Sequence, residues 1–161
     1  MVSMAACRFS RIRYATPPEQ FLTQRVILLV DDSSAVEHLL RAALKKCGAP
    51  IDLHVKRTAE EAVRHAVDAP APDLILLDIS LPDGNGLVVL RCLRLHPPYQ
   101  DIPILMFSSS HADADMQRAR AQGATAYLIK PVGLAGYSSL IGQLAERWLC
   151  VQCAGLGTPE Q

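Results

Sequence analysis

The sequence lacks long hydrophobic runs, although 50% of its 161 residues are hydrophobic. A transmembrane helix needs about 20 consecutive apolar residues, whereas the apolar runs here are short and end in Asp, Pro or Ser. The first 24 residues also lack the continuous apolar stretch of a secretory signal. We therefore expect a soluble, cytoplasmic protein without a membrane partner, with an irregular or flexible N-terminal extension over residues 1–24.

The chain also lacks net charge, because 16 Lys and Arg residues balance 16 Asp and Glu residues. A strongly basic chain would indicate a nucleic acid or an acidic membrane surface as its partner. We predict no nucleic-acid partner, and the overall charge indicates no other function.

The cysteines lack the paired spacing of a secreted disulfide framework. Five are present, at Cys7, Cys47, Cys92, Cys150 and Cys153. Their odd number and scattered positions favour reduced thiols. A single CxxC motif spans residues 150–153, but a zinc or redox site is disfavoured because the motif has no second pair and no nearby histidine.

The length fits one ordinary domain with one core, which we assign to residues 25–149, followed by a tail over residues 150–161. Short apolar or alternating runs predict strands, and apolar residues at helical spacing predict helices. The predicted strands cover 26–30, 51–55, 74–77, 102–107 and 125–129. Helices are predicted from Ser34 to before Gly48, from Thr58 to before Pro70, and over 87–95, 113–122 and 134–149. This alternation predicts a doubly wound α/β fold with a parallel sheet.

The first predicted strand is followed directly by Asp31 and Asp32. Two carboxylates about 4 Å apart repel each other by roughly 1 to 4 kcal/mol, depending on the local dielectric. One explanation is that one Asp caps the next helix and the other is solvated. The other explanation is a bound cation.

Further polar residues follow the other strands: Asp78 after strand three, Ser108 after strand four and Lys130 after strand five. The carboxyl ends of parallel strands lie at one edge of the sheet, where ligands bind. Three carboxylates there suit Mg²⁺, and a lysine with a hydroxyl suits a phosphoryl group. Asp78 is the expected nucleophile towards phosphorus, because it stands alone on the middle strand.

These residues, with Gly84-Asn-Gly86, Gly123-Ala and Tyr127-Leu-Ile-Lys130-Pro131, resemble the receiver domains of two-component response regulators. The resemblance covers residues 25–149 and implies a flavodoxin-like (βα)5 sheet with strand order 2-1-3-4-5. It also implies a sensor histidine kinase as phosphodonor. The implied roles are phosphoacceptor for Asp78, direct Mg²⁺ ligand for Asp32, water-mediated ligand for Asp31, backbone carbonyl ligand for Ser80, phosphoryl contacts for Ser108 and Lys130, and switch aromatic for Tyr127. The Lys130–Pro131 bond is expected to be cis.

A finer resemblance is to the single-domain regulators paired with phytochromes. It rests on the strand at residues 53–55, the 98–103 stretch, the Lys130-Pro-Val132 sequence and the ending Trp148-Leu149. It implies a phytochrome kinase as partner and a homodimer through the last strand, the last helix and the C-terminal arm. Trp148 and Leu149 are then candidates for dimer contacts or for ordinary core packing. Ser108 differs from the commoner Thr of the family.

Only 13 residues follow Trp148, too few for an output domain, so the sequence predicts a phosphorylation switch rather than an enzyme. Three alternatives stay open: a phosphate sink, a binding module that does not need phosphate, and an aspartate-nucleophile phosphatase. The phosphatase is disfavoured because Ser80 stands where such an enzyme needs a second Asp as general acid. The five histidines show no metal spacing and are interpreted as surface or loop residues.

Overall fold

The computed structural model describes residues 23–153, which form a five-stranded parallel sheet covered by helices on both faces. The sheet strands are β1 (Arg25–Val30), β2 (Ile51–Lys56), β3 (Leu74–Leu77), β4 (Ile104–Ser108) and β5 (Ala126–Ile129). The helices are α1 (Ser34–Cys47), α2 (Ala59–Asp68), α3 (Gly86–Leu95), α4 (Asp113–Ala121) and α5 (Gly133–Leu144). The spatial order β2-β1-β3-β4-β5 confirms the predicted fold and strand order.

Alternating residues of the central strands face two separate hydrophobic clusters. On one face, Ile27 and Leu29 of β1 pack with α1 and α5. On the other face, Leu28 and Val30 pack with α2, α3 and α4. Because both faces are buried, β1 and β3 are almost wholly apolar, as expected for a parallel sheet. These two strands can therefore carry polar residues only at their ends.

The helices begin within one residue of the predicted starts. The Thr58 hydroxyl caps α2 by accepting a hydrogen bond from the Glu61 amide at 3.1 Å. α1 begins at Ser34 as predicted, and the Ser33 hydroxyl caps it by accepting a hydrogen bond from the Val36 amide at 3.3 Å. Gly48, in the left-handed conformation with φ of 69°, ends α1 as predicted.

The structure contains short elements that the sequence pattern did not predict. Ser80–Leu81 and Gly84–Asn85 form a two-residue antiparallel pair directly after β3. A 3₁₀ turn covers Pro97–Tyr99. The helix predicted over 134–149 is present, but its end, Ala145–Leu149, is a π-helical turn rather than a continuation of α5. These pieces are too short for a hydrophobic period to be recognised.

Two expectations about covalent geometry are wrong. Residues 23–153 contain no cis peptide bond, so the Lys130–Pro131 bond is trans. For a bond to proline the trans form is favoured by about 0.5–1 kcal/mol, and the lysine reaches its partners without the cis form. The expected reduced thiols are also contradicted, because Cys47 and Cys153 form a disulfide. The two residues are 106 positions apart, and only the folded chain brings them together.

In the described part of the chain, no helix is both long and apolar enough to cross a membrane. The predicted N-terminal extension over residues 1–24 lies outside the described residues, apart from its last two positions. Of the predicted tail, the structure describes residues 150–153.

Candidate functional site

The polar residues predicted at the strand ends meet at the carboxyl edge of the sheet. Asp31 follows β1 and its amide donates to the Lys56 carbonyl at 2.9 Å, while the Asp78 amide donates to the Val30 carbonyl at 2.9 Å. These backbone bonds continue the sheet ladder by one residue. They fix Asp31 and Asp78 side by side at the edge.

Carboxylate oxygens of Asp31, Asp32 and Asp78 lie within 4.8 Å of one another. Asp31 is fully buried and Asp78 is 7% exposed, whereas Asp32 is exposed to solvent. The cluster therefore has two oxygen donors on its floor and one at its mouth. This arrangement of hard oxygen donors fits Mg²⁺, which binds through one or two carboxylates and retains several waters.

Lys130 neutralises part of this negative charge. Its Nζ atom lies 2.7 Å from Asp31 Oδ2 and 2.9 Å from Asp78 Oδ2. The contact with Asp78 is a hydrogen bond. Asp31 Oδ2 is buried and paired with Lys130 by charge, but no residue in 23–153 donates a hydrogen bond to it in good geometry. A buried oxygen without a hydrogen-bond donor is available to a cation or a water.

Burial and pairing act in opposite directions on the charged groups of the site. Burial raises the pKa of Asp31 above its usual value, although Lys130 and the Ser33 amide counteract it. Burial alone would lower the pKa of Lys130, but its contacts with the Asp31 and Asp78 carboxylates outweigh this effect and raise the pKa. Lys130 is therefore a fixed positive charge at neutral pH.

The loops after β3 and β4 complete the edge. The Ser80 amide donates to Asp78 Oδ1 at 3.2 Å, which orients the carboxylate. Ser108 is 5% exposed, and its hydroxyl accepts from the Ser110 amide at 3.0 Å. The Tyr127 hydroxyl donates to the Ser110 carbonyl at 3.0 Å, so the aromatic side chain is linked to the loop that follows Ser108.

Two further residues support the site: Gly86, which belongs to the motif named in the sequence analysis, and Asp83, which the sequence analysis did not single out. A Cβ atom on Gly86 would lie 1.9 Å from the Asp78 carbonyl oxygen, so only glycine lets α3 begin against the backbone of Asp78. The Asp83 carboxylate accepts hydrogen bonds from the Ala59 and Glu60 amides at 2.7 and 3.0 Å. Asp83 thereby anchors the loop after Asp78 to the first turn of α2. The glycine after Asn85 was a signal for the first residue, but no sequence signal links Asp83 to α2.

The histidine prediction needs one correction. His65 on α2 is partly buried, and no residue in the described part of the chain forms a hydrogen bond with its Nε2 atom. Its ring meets that of His54 edge to face, with centroids 6.1 Å apart. His65 therefore packs between α2 and β2, away from the acidic edge, and is not a residue of the candidate site.

Comparison with known proteins gives the same family for sequence and structure. Residues 27–140 match the response regulator receiver domain family. The transcriptional regulatory protein KdpE of Staphylococcus aureus is 34% identical over 110 residues, 67% of this chain, but the match spans only 44% of that relative. The response regulator Rcp1 of Synechocystis is 29% identical over 131 residues, which cover 78% of this chain and 89% of Rcp1.

Solved structures extend the comparison. The Mn²⁺-bound form of Rcp1 has a TM-score of 0.70 at 27% identity and covers 84% of this chain and 99% of its own. The phosphorylated cyanobacterial phytochrome response regulator RcpA has a TM-score of 0.71 at 27% identity, with 85% and 99% coverage. Receiver domains take phosphate from sensor histidine kinases and bind Mg²⁺ or Mn²⁺ in an acidic pocket. With this fold, this acidic edge and a family match over most of its length, the chain belongs to the response regulator receiver domain family.

Proposed function

We propose that the protein accepts a phosphoryl group on Asp78 and signals through the resulting change of its surface. The observation that carries this proposal is the contact of one lysine ammonium with both Asp31 and Asp78, beside a third carboxylate at the mouth of the site. A pocket with one fixed cation and three carboxylates retains negative charge. It therefore suits a metal ion together with a phosphoryl group.

Mg²⁺ would be held by Asp31, Asp32, Asp78 and the Ser80 carbonyl, and would neutralise charge on the phosphoryl oxygens. In the proposed step an oxygen of Asp78 attacks phosphorus, the bond from phosphorus to a kinase histidine nitrogen breaks, and an acyl phosphate forms. That histidine keeps the electron pair of the broken bond. Lys130 contacts the Asp78 carboxylate already, so its charge is in position to stabilise the transferred group.

Ser108 and Tyr127 are proposed to transmit the change. The Ser108 hydroxyl accepts only from the Ser110 amide among the described residues, so its own proton is available to a phosphoryl oxygen. A shift of Ser108 towards that oxygen would disturb the loop at Ser110, to which Tyr127 is hydrogen bonded. Phosphorylation would thus alter the surface around β5 and α4.

The chain is proposed to act as a switch that assists its own phosphotransfer and dephosphorylation, and not as an enzyme for a separate substrate. We assign this role to a receiver unit over residues 25–149, flanked by the extension 1–24 and the tail 150–161. A cytoplasmic location and a phytochrome kinase as phosphodonor are part of the proposal. The similarity to Rcp1 and RcpA, which is a phytochrome response regulator, supports the choice of kinase.

The proposal is tested by incubating the protein with Mg²⁺ and a small phosphodonor such as acetyl phosphate. Intact mass should show one added phosphoryl group, and Asp78→Asn should show none. A folded native protein that gains no phosphoryl group would overturn the proposed function. Partner binding that is the same for native protein and Asp78→Asn under these conditions would instead favour a binding module that does not use phosphate.

The kinase is tested separately by phosphotransfer profiling with purified sensor histidine kinases of the host, including a phytochrome kinase. The phytochrome kinase should transfer phosphate fastest at short incubation times. Preferential transfer from an unrelated kinase would contradict the phytochrome pairing and leave the phosphoacceptor role of Asp78 intact.

We also propose a homodimer through β5, α5 and the residues that follow α5. Of the two residues that the sequence offered as dimer contacts, only one is kept. Leu149 is only 2% exposed and belongs to the hydrophobic cluster of its own chain. Trp148 is partly buried and stacks near Arg147, whose guanidinium carbon lies 5.2 Å from the ring centroid. Of the two candidates, Trp148 is therefore the one proposed as a dimer contact.

A further inference from the structure

The disulfide joins the end of α1 to the chain after α5, two parts of the fold that also pack on the same hydrophobic cluster. Cys47 is the last residue of α1 and is fully buried. Cys153 lies in the segment that we call the C-terminal arm, residues 145–153, which follows α5. The sequence motif Cys150-Val-Gln-Cys153, which the proposed function does not use, supplies one of the two sulfurs.

The arm lies against α1 through several contacts besides the disulfide. Leu149 is 2% exposed in the first hydrophobic cluster, and Val151 and Cys153 pack against the same cluster. The Val151 amide donates to the Ala145 carbonyl at 3.0 Å and closes the last turn. These contacts hold the Cys153 sulfur beside Cys47, which raises the effective concentration of one thiol at the other.

We propose that Cys47 and Cys153 are a reversible redox site that fastens the C-terminal arm to α1 when oxidised and releases it when reduced. The oxidant is a low-molecular-weight disulfide, and the reductant is the corresponding thiol. Disulfides that form reversibly inside cells are typically regulatory. The redox site is separate from the acidic edge. It would therefore give the protein a second regulatory input besides phosphorylation of Asp78.

Burial sets the order of the two exchange steps. Cys153 is partly exposed, so its thiolate attacks one sulfur of the small disulfide and expels the first small thiolate. Cys47, buried beneath the arm, then attacks the Cys153 sulfur and expels the second. Two protein thiols are oxidised to one disulfide, one small disulfide is reduced to two thiols, and the two thiol protons pass to the released thiolates.

The reduced arm loses its covalent link, while the packing of Leu149, Val151 and Cys153 on the first hydrophobic cluster remains. Local opening of a chain end held by a few apolar contacts is frequent. Opening would uncover the end of α1 and the adjoining surface of α5, whose faces pack together. The redox state would thus control access to this part of the surface without a change at Asp78.

The test equilibrates the full chain in buffers with different ratios of glutathione disulfide to glutathione. Trapped samples are analysed by peptide mapping, and hydrogen exchange is measured for the arm in oxidised and reduced protein. We expect a linkage between Cys47 and Cys153, and amide exchange over residues 145–153 about tenfold slower in the oxidised protein. Phosphorylation of Asp78 by acetyl phosphate reports on folding and tests the proposed function independently.

Cys153→Ser is the main variant, because Cys153 is less buried than Cys47 and the serine is expected to be tolerated. Its arm should exchange as fast in oxidising buffer as the reduced native arm does. Cys92→Ser is the matched control, since Cys92 is exposed and outside the disulfide, and it should behave as native protein. A linkage between Cys150 and Cys153 in place of the expected one, no linkage at any ratio, or a linkage that leaves arm exchange unchanged would each overturn the proposal.

Discussion

At the scale of single residues, burial distinguishes two neighbouring carboxylates that the sequence presents as equivalent. Asp31 is fully buried and bound to Lys130 and to the Ser33 amide at 2.9 Å. Asp32 is exposed, and its carboxylate is the one at the mouth of the site. Lys130 and solvent therefore reduce the repulsion between the two adjacent carboxylates. The carboxylate cluster can still bind a cation through Asp32 at its solvent-exposed side.

Asp32→Asn should weaken Mg²⁺ binding at least about tenfold, because it removes the charge of the proposed direct ligand at an exposed position. Asp31→Asn should weaken it less, because Asp31 is proposed to act through water. Isothermal titration calorimetry with MgCl₂ measures both affinities, and acetyl phosphate labelling measures phosphorylation alongside. An unchanged Mg²⁺ affinity in Asp32→Asn would show that the assignment of the direct ligand is wrong.

His65 should make stability depend on pH. Burial, followed by the nearby charges of Lys56 and His54, lowers the pKa of His65 from its ordinary value of 6.5. The unfolded chain therefore binds the proton more readily than the folded one, and stability rises with pH. The contribution of neutral His65 is present above about pH 6.5 and is lost as the pH falls towards the lowered pKa of the folded state.

The measurement is urea unfolding at pH 7.5 and pH 5.5 for native protein and His65→Gln. The native protein should lose more stability than the variant over this interval. His38→Gln is the control, since His38 is exposed on α1. Equal losses in native protein and His65→Gln would contradict the effect of burial on this side chain.

At the scale of elements, contacts between the loops and the helix starts decide the geometry of the site. In α4 only Ala119 is buried, and the glycine stop at Gly123 marked the end of that helix. Hydrophobic periodicity predicted the five strands of the large sheet and the other four helices, because each of them presents apolar side chains to the core. It did not predict the pairing of Ser80–Leu81 with Gly84–Asn85, the capping of α2 by Asp83, or the Cys47–Cys153 disulfide. Those features depend on single contacts between residues that are distant in sequence or on too few residues to show a period.

Gly86→Ala should destabilise the protein by about 3 kcal/mol, because the new methyl would overlap the Asp78 carbonyl oxygen at 1.9 Å. The backbone of Asp78 would have to shift, so phosphorylation should also slow. Gly84→Ala is the matched control, since its Cβ would meet only Ala59 Cβ at an ordinary 3.8 Å. Chemical denaturation measures stability, and the prediction fails if the two alanine variants unfold at the same denaturant concentration.

Arg94 links the end of α3 to the strands that follow it. Its guanidinium donates to the carbonyls of Tyr99, Ile102 and Gly123 at 2.7 to 2.8 Å. Arg94→Lys should cost about 2–3 kcal/mol of stability, because an ammonium on a single stem cannot replace this planar set of donors. Arg91→Lys, at an exposed position of the same helix, should change the urea midpoint little. Comparable losses in the two variants would mean that the bonds of Arg94 carry little stability.

At the scale of the whole molecule, the two faces of the sheet are covered by different parts of the chain, and the residues after α5 pack on only one of them. The arm after α5 packs on the cluster shared by α1 and α5, whereas the opposite face is covered by α2, α3 and α4 together with Leu81 and Tyr99. β5 is an edge strand of the sheet, and among the described strands it pairs only with β4. A second copy could therefore meet this chain along β5 and α5 without displacing core residues, provided that Leu149 stays in its own chain.

This division predicts that stability and self-association respond to different residues of the arm. Leu149→Ala should lower the free energy of unfolding by about 2–4 kcal/mol, because it removes a core side chain that is 2% exposed. Trp148→Ala should cost less stability but weaken the proposed dimer at least about tenfold, as loss of an aromatic contact at the centre of an interface does. Urea unfolding and sedimentation velocity at several concentrations separate the two effects. A native protein that is monomeric at every concentration would contradict the proposed dimer. Weaker association of Leu149→Ala than of Trp148→Ala would instead identify Leu149 as the dimer contact. The buried leucine would then have to leave its own core on dimerisation.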